Sequence, residues 1–302
     1  MKFDKTILLN VSLLFIVSNF LVGCTLKDEL TGFLLVPMRL NLNDNIAIFS
    51  IDLKSGEQLK EYFSSEEYTD ICSPLKVNQS LFCAAKSTKD NYYVILRVSK
   101  NNTSEMLRTD TKIISFALKR DEFIVFIKEI DKKAYLFSYD FNKGNVTKIY
   151  ASEVDNESKP IVCKDGSIIF VTGKNNTFIV NRLYRDGKIE ELVNGRYPLL
   201  IDAETGLLYY SSRSILRYDM LKHKEKRIKK KVTLLESPAL SPDGKYISFY
   251  ERDYVSPIGG ERVEFLSVLS LKSHNKKHIM AYNKGRGSLR LSGAFWADSL
   301  DD

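Results

Sequence analysis

The sequence predicts an all-β chain: a six-bladed β-propeller of four-stranded blades, closed by pairing of the C-terminal strand with the N-terminal strands. Three observations lead there. Short runs rich in Val, Ile, Phe and Tyr alternate with polar residues along most of the chain, with almost no helical periodicity. Turn-plus-charged-strand units recur at roughly 36 to 52 residues, the length of one propeller blade. The last apolar segment, "SGAFWADS" (292–299), aligns with "SPALSPDG" (237–244), and the chain stops almost at once. A lone first strand would be an unpaired edge, so it must find its partners elsewhere.

Taken in order, residues 1–23 read as a leader, 24–32 as a tether and 33–302 as the propeller. In "MKFDKTILLNVSLLFIVSNFLVGCTLKDE", Lys2 and Lys5 precede an apolar stretch from Ile7 to Val22, the pattern of an export signal. Asn10, Ser12, Ser18 and Asn19 interrupt it as a membrane span. Leu21-Val22-Gly23-Cys24 resembles the lipobox of bacterial lipoproteins. The resemblance implies cleavage after Gly23 and a diacylglyceryl group on the Cys24 thiol, with the new amino terminus also acylated. Several acyl chains hold a protein to a bilayer far better than one. Thr25, rather than Asp, follows the cysteine, which implies outer-membrane sorting in a Gram-negative envelope.

The strands follow as "NIAIFSIDL" (45–53), "YYVILRVS" (92–99), "EFIVFIKEI" (122–130), "AYLFSYDF" (134–141), "SIIFVTG" (167–173), "TFIVNRLY" (177–184), "GLLYYSS" (206–212), "YISFYE" (246–251) and "EFLSVLSL" (264–271). Charged outer strands end the units, as in "NKGNVTKIY" (142–150) and "RDGKIEELV" (185–193), where glycine supplies the turn's positive φ. "GFLLVPMRL", "NIAIFSIDL" and "EQLKEYF" make three strands lacking an inner one. The tail strand with Trp296 should complete that first blade and bring the count to six.

In "SPALSPDGKYISFY", Pro242 presets φ, Asp243 caps the turn and Gly244 takes the left-handed position. The turn is there for shape, reversing the chain between two inner strands; a catalytic Asp243 is the alternative. Variants occur in "PIVCKDGSIIFV" (160–171) and "LLIDAETGLLYY" (199–210). Pro238, Ser241, Pro242, Asp243, Gly244, Ile247 and Phe249 resemble the P-x-x-S-P-D-G-x-x-I-x-F repeat of the WD-repeat-like propeller of TolB and its relatives. The resemblance implies a propeller body and an envelope location.

Constellations for chemistry are scarce. His223, His274 and His278 fall in outer strands or turns among lysines, poorly placed for a triad or metal site. No G-x-S-x-G, C-x-x-C, H-E-x-x-H or phosphate-cradling glycine loop occurs. The sequence therefore assigns no catalytic residue, metal or cofactor. Cys72 and Cys83 fall on neighbouring strands, where a disulfide or two buried thiols would fit; Cys163 reads as core.

Charge is more informative. Residues 222–290 carry 16 basic and 7 acidic residues in a chain of net charge +7. Lys222, Lys224, Lys226, Arg227, Lys229, Lys230 and Lys231 are the densest run, with Lys272, Lys276 and Lys277 in the next unit. Either they protect an exposed edge from pairing, or they contact anionic envelope material. Nucleic acid is a poor partner for an exported protein, and the run lacks interleaved aromatics. The other candidate surface is the end carrying second-to-third-strand loops. There "ERDYVSPIGGERVE" (251–264) offers Arg252, Tyr254, Pro257 and Arg262. Arg196, Arg286 and the acidic segments 64–70 and 152–159 share that end. The expectation is a lipid-anchored module binding an envelope protein or glycan; the alternative is a glycan lyase or hydrolase working at the channel.

Overall fold

The computed structural model describes residues 30, 32–38, 45–54, 60–99, 102–119, 122–174, 177–201, 204–234, 238–254, 262–282 and 295–297. They form 24 strands in six four-stranded antiparallel sheets. Blade 1 is composite: β24 (Phe295–Ala297), β1 (Phe33–Met38), β2 (Ala47–Asp52) and β3 (Lys60–Phe63). Blade 2 holds β4 (Tyr68–Val77), β5 (Ser80–Ser87), β6 (Tyr93–Ser99) and β7 (Asn102–Thr109). Blade 3 holds β8 (Ile113–Lys119), β9 (Phe123–Ile130), β10 (Lys133–Asp140) and β11 (Asn145–Lys148). Blade 4 holds β12 (Ile161–Val162), β13 (Ile168–Lys174), β14 (Thr177–Leu183) and β15 (Ile189–Asn194). Blade 5 holds β16 (Arg196–Ile201), β17 (Gly206–Ser211), β18 (Ser214–Asp219) and β19 (Lys224–Lys230). Blade 6 holds β20 (Ala239–Leu240), β21 (Tyr246–Tyr254), β22 (Arg262–Ser270) and β23 (Lys276–Tyr282). The leader, the lipobox residues Leu21, Val22 and Gly23, and Cys24 lie outside the described residues.

The predicted closure is present. β24 runs antiparallel to β1, with Phe33 opposite Ala297, Leu34 opposite Trp296 and Leu35 opposite Phe295. Trp296 is buried, donates its indole N–H to the Ala239 carbonyl of blade 6 at 3.2 Å, and stacks on Tyr246. The tail strand thus pairs with blade 1 through its backbone and with blade 6 through the Trp296 indole.

Alternation along each strand feeds two cores, one on either side of the blade. In β21, Tyr246 and Tyr250 pack with Leu34, Val36 and Trp296 toward blade 1. Ile247 and Phe249 pack with Leu208, Ile215 and Val232 toward blade 5. Because both faces are covered, the inner strands carry apolar residues at successive positions; Leu34, Leu35 and Val36 are all fully buried.

The Ser-Pro-Asp-Gly turn is a device of shape. Gly244 sits at φ +69° and donates its N–H to the Ser241 carbonyl at 2.9 Å. The Asp243 carboxylate accepts from Ser241 Oγ at 2.7 Å and from the Lys245 backbone at 3.1 Å. Blade 4 repeats the plan: Gly166 N–H bonds to the Cys163 carbonyl, and Asp165 caps Ser167. These first-to-second-strand turns share one end of the ring with the third-to-fourth-strand turns. The second-to-third-strand turns and the blade-to-blade connections occupy the other. They are called here the turn end and the connection end.

The structure revises two expectations and selects between two readings of a cysteine pair. Of the disulfide and the free thiols that the sequence left open for Cys72 and Cys83, the structure has free thiols. Cys83 faces the core shared with blade 1 while Cys72 packs toward blade 3, on opposite faces of one sheet. The reason is two register shifts flanking Cys72 in β4, with Asp70 and Ser73 both at φ +50°. Burial pushes the Cys72 thiol up to about 11, against the pull of Lys112 and Lys159. Residues 68–70, read as loop, are the start of β4. Within "ERDYVSPIGGERVE", residues 251–254 and 262–264 are paired strand and not loop: Arg252 opposes Glu264, Asp253 opposes Val263 and Tyr254 opposes Arg262.

Two outcomes are expected. Trp296→Ala should lower stability by about 3–5 kcal/mol, read as a shifted urea midpoint, and an unchanged midpoint would contradict closure through this ring. The second concerns acid. Burial would raise Asp243, but the bonds from Ser241 and Lys245 override it and hold the carboxyl below its usual range. Its contribution is then complete above the unfolded value of about 3.9 and is lost as pH falls through the depressed folded value. Asp243→Asn should therefore flatten the acid limb of the Tm–pH curve below about pH 4.

Candidate functional site

Three polar clusters stand out on the ring, two toward the connection end and one at the turn end. The first surrounds Arg196, the opening residue of β16. Its guanidinium holds the buried Asp155 through both oxygens, at 2.5 and 3.2 Å, and Glu157 at 2.9 Å. It lies over the Phe178 ring, its central carbon 3.9 Å from the centroid. Asp155 also accepts the Ser158 N–H, Ser158 Oγ accepts the Tyr197 N–H, and Tyr197 donates to Glu157 at 2.6 Å. Burial alone would lower the Arg196 pKa; the Asp155 bond, with Tyr197 and Glu157 beside it, holds it above its ordinary value. Arg196 meets the acidic segment 152–159, with which the sequence placed it only at the same end of the ring. It is bound there as a strut joining blades 4 and 5, not offered as a free contact group.

The second cluster lies beneath the tip of the blade 6 hairpin, and sequence reading missed it. Glu251, 1% exposed, takes Lys276 Nζ at 2.8 Å and the Ser267 hydroxyl at 2.7 Å. Ser267 Oγ is also 2.9 Å from His278 Nδ1. The serine has one proton and gives it to Glu251, so His278 must donate from Nδ1. This is not a nucleophile's arrangement: the serine sits between acid and imidazole instead of beside the imidazole alone, and it is fully buried. The set clamps the base of a long hairpin. Lys276 is thereby withdrawn from the basic flank in which its sequence context had placed it.

Above that clamp, β21 and β22 each run nine residues, against six in β17 and β18 of blade 5. The three extra residues add about 10 Å of strand. Arg252, Tyr254 and Arg262 occupy the paired ends of this extension at the connection end. Pro257 and Arg286 lie outside the described residues.

The third cluster is at the turn end, in a cleft of about 640 Å³ between blades 5 and 6. Ile201, Leu208, Ile228 and Leu271 supply its apolar wall, and Arg217, Lys245 and Lys272 line it with cations. Beside it runs the basic outer strand. Lys222, Lys224, Lys226, Arg227, Lys230 and Lys231 are exposed. Lys229 is half-buried and donates to the His274 carbonyl at 3.1 Å, a link between blades 5 and 6. Glu225 accepts from Tyr209, and His223 Nδ1 meets the Tyr218 hydroxyl.

The clamp gives a measurable outcome. Lys276→Met should cost about 3–5 kcal/mol by leaving Glu251 buried without its cation, and adding Glu251→Leu should recover more than half of that. Urea denaturation of the single and double variants decides it; simple additivity would show that the two side chains are not coupled.

No family model and no curated sequence matches the chain. Solved structures match it in shape. TolB from Acinetobacter baumannii superposes with a TM-score of 0.69 at 14% identity, covering 93% of this chain and 70% of that one. A putative TolB from Agrobacterium tumefaciens gives 0.58 at 12%, covering 87% and 93%. A chain of a nidogen/laminin complex gives 0.61 at 14%, covering 88% and 98%. At such identities the likeness is one of fold. The chain has a TolB-like six-bladed propeller fold.

Proposed function

We propose that this protein is a lipid-anchored propeller of the cell envelope that binds a protein or glycan partner through the connection end of its ring. The observation that carries the reading is the blade 6 hairpin, which extends beyond that of blade 5 and is clamped at its base by Glu251 and Lys276. A recognition element on a rigid scaffold loses little freedom on binding. The Arg196–Asp155–Glu157 network fixes the connection between blades 3 and 4 in the same way, holding it to the first strand of blade 5. Attachment comes through Cys24 and its acyl chains, and the TolB-like fold is in keeping with an envelope location. The other reading, a glycan lyase or hydrolase, requires carboxylates facing a substrate. One pair that converges among the described residues, Asp155 and Glu157, is engaged by Arg196 and Tyr197.

Two experiments bear on this. A photo-crosslinking residue at Tyr254 of the full-length protein in its own host should give one discrete adduct, at least tenfold weaker when Arg252 and Arg262 are both changed to Glu. A ladder indifferent to those charges would refute binding through the hairpin. Labelling cells with a palmitate analogue should tag the protein and fail for Cys24→Ala; label retained by that variant would refute the anchor.

A further inference from the structure

The two ends of the ring differ in what the chain does there. β1 begins at the turn end: Phe33 opposes Asp52, and the Gly32 carbonyl accepts the Leu53 N–H where β2 turns toward β3. Ala297, opposite Phe33, is at the same end. Gly32 and the start of β1 therefore stand at the turn end, on the blade next to blade 6.

That end also carries an unusual leucine. Leu221 sits at the tip of the β18–β19 hairpin and is 74% exposed, well beyond Val146 at 45% and Ile189 at 44%. Asp219 caps the turn through the Leu221 and Lys222 N–H groups, so the tip is ordered and the leucine is held outward. Lys222 and Lys224 flank it, both exposed. Arg217, Lys245 and Lys272 line the neighbouring cleft. Carboxylates are present too: Asp219 lies 3.8 Å from Lys222, and Asp243 lies 3.0 Å from Lys245. Both pairs are on the surface, where exchange of partners is easy. An apolar tip among cations, beside a partly apolar cleft lined with cations, suits an anionic lipid interface. The side chain enters the headgroup layer and the cations meet phosphate.

We infer that the turn end of blades 5 and 6 docks on an anionic bilayer, with Leu221 entering the headgroup layer and the cleft between the blades seating a lipid phosphate. The inference goes beyond the proposed anchor, and each can fail without the other. Docking would turn the connection end, with its long hairpin, away from the membrane.

The test uses the mature chain, residues 24–302, carrying Cys24→Ser, so that neither the apolar leader nor an acyl chain contributes. Flotation with phosphatidylcholine vesicles, plain or with about one lipid in three replaced by phosphatidylglycerol, should show binding to the anionic set alone, falling as salt rises. Leu221→Glu, and separately Arg217→Glu with Lys272→Glu, should each lower partitioning at least tenfold; Arg252→Glu, at the opposite end, should not. Leu221→Trp should bind at least as well as the parent and shift its emission to the blue on anionic vesicles. Equal binding to neutral vesicles, unchanged partitioning of Leu221→Glu, or no spectral shift from Leu221→Trp would overturn the inference. Competition by inorganic phosphate as effective as that by lipid would also overturn it.

Discussion

The pairing of Phe295–Ala297 with Phe33–Leu35 is the contact on which the ring depends. Each blade has two apolar faces, and each face is buried only because a neighbour stands against it. A propeller open at one seam would leave two such faces and one strand edge in water. Here the seam lies inside a blade and not between blades, so closure is made by backbone hydrogen bonds as well as by packing. Trp296 adds the second attachment, reaching across to Ala239 and Tyr246 of blade 6.

Within that frame, polar groups serve as struts between and within blades. Arg196 ties the connection before blade 4 to the inner strand of blade 5. Lys229 ties the outer strand of blade 5 to a turn of blade 6. Glu251 ties three strands of blade 6 together. These bonds add direction to a hydrophobic effect that has none. They also fix where the ends of the ring stand, and so which surfaces can meet a partner.

Much of the architecture was legible in the sequence because its signals are local. Glycine after aspartate at 165–166 and 243–244 marks turns that need a left-handed residue, and the structure places both there. The lysine-rich run at 222–231 reads as an outer strand because no buried position tolerates it, and β19 occupies it. The tail could be assigned because its segment repeats an inner strand without what should follow. What was not legible depends on register or on distant partners. Two bulges in β4 turn Cys72 away from Cys83, and nothing in the spacing announces them. Arg196 and Asp155 lie 41 positions apart, so an arginine at a blade's first strand looks like a free contact until the fold supplies its carboxylate. Glu251 reads as the end of a strand, although it is the centre of a buried cluster.

The placement of β1 has a mechanical consequence. It lies between β24 and β2, paired with β2 from Phe33 to Met38 and with β24 from Phe33 to Leu35. A pull on the chain ahead of Gly32, opposed by a load at the far end of the ring, acts along the strand axis. Such a force shears two rows of hydrogen bonds at once instead of peeling them one by one. Blade 1 would carry tension at its strongest orientation, through the strand that also helps to close the ring.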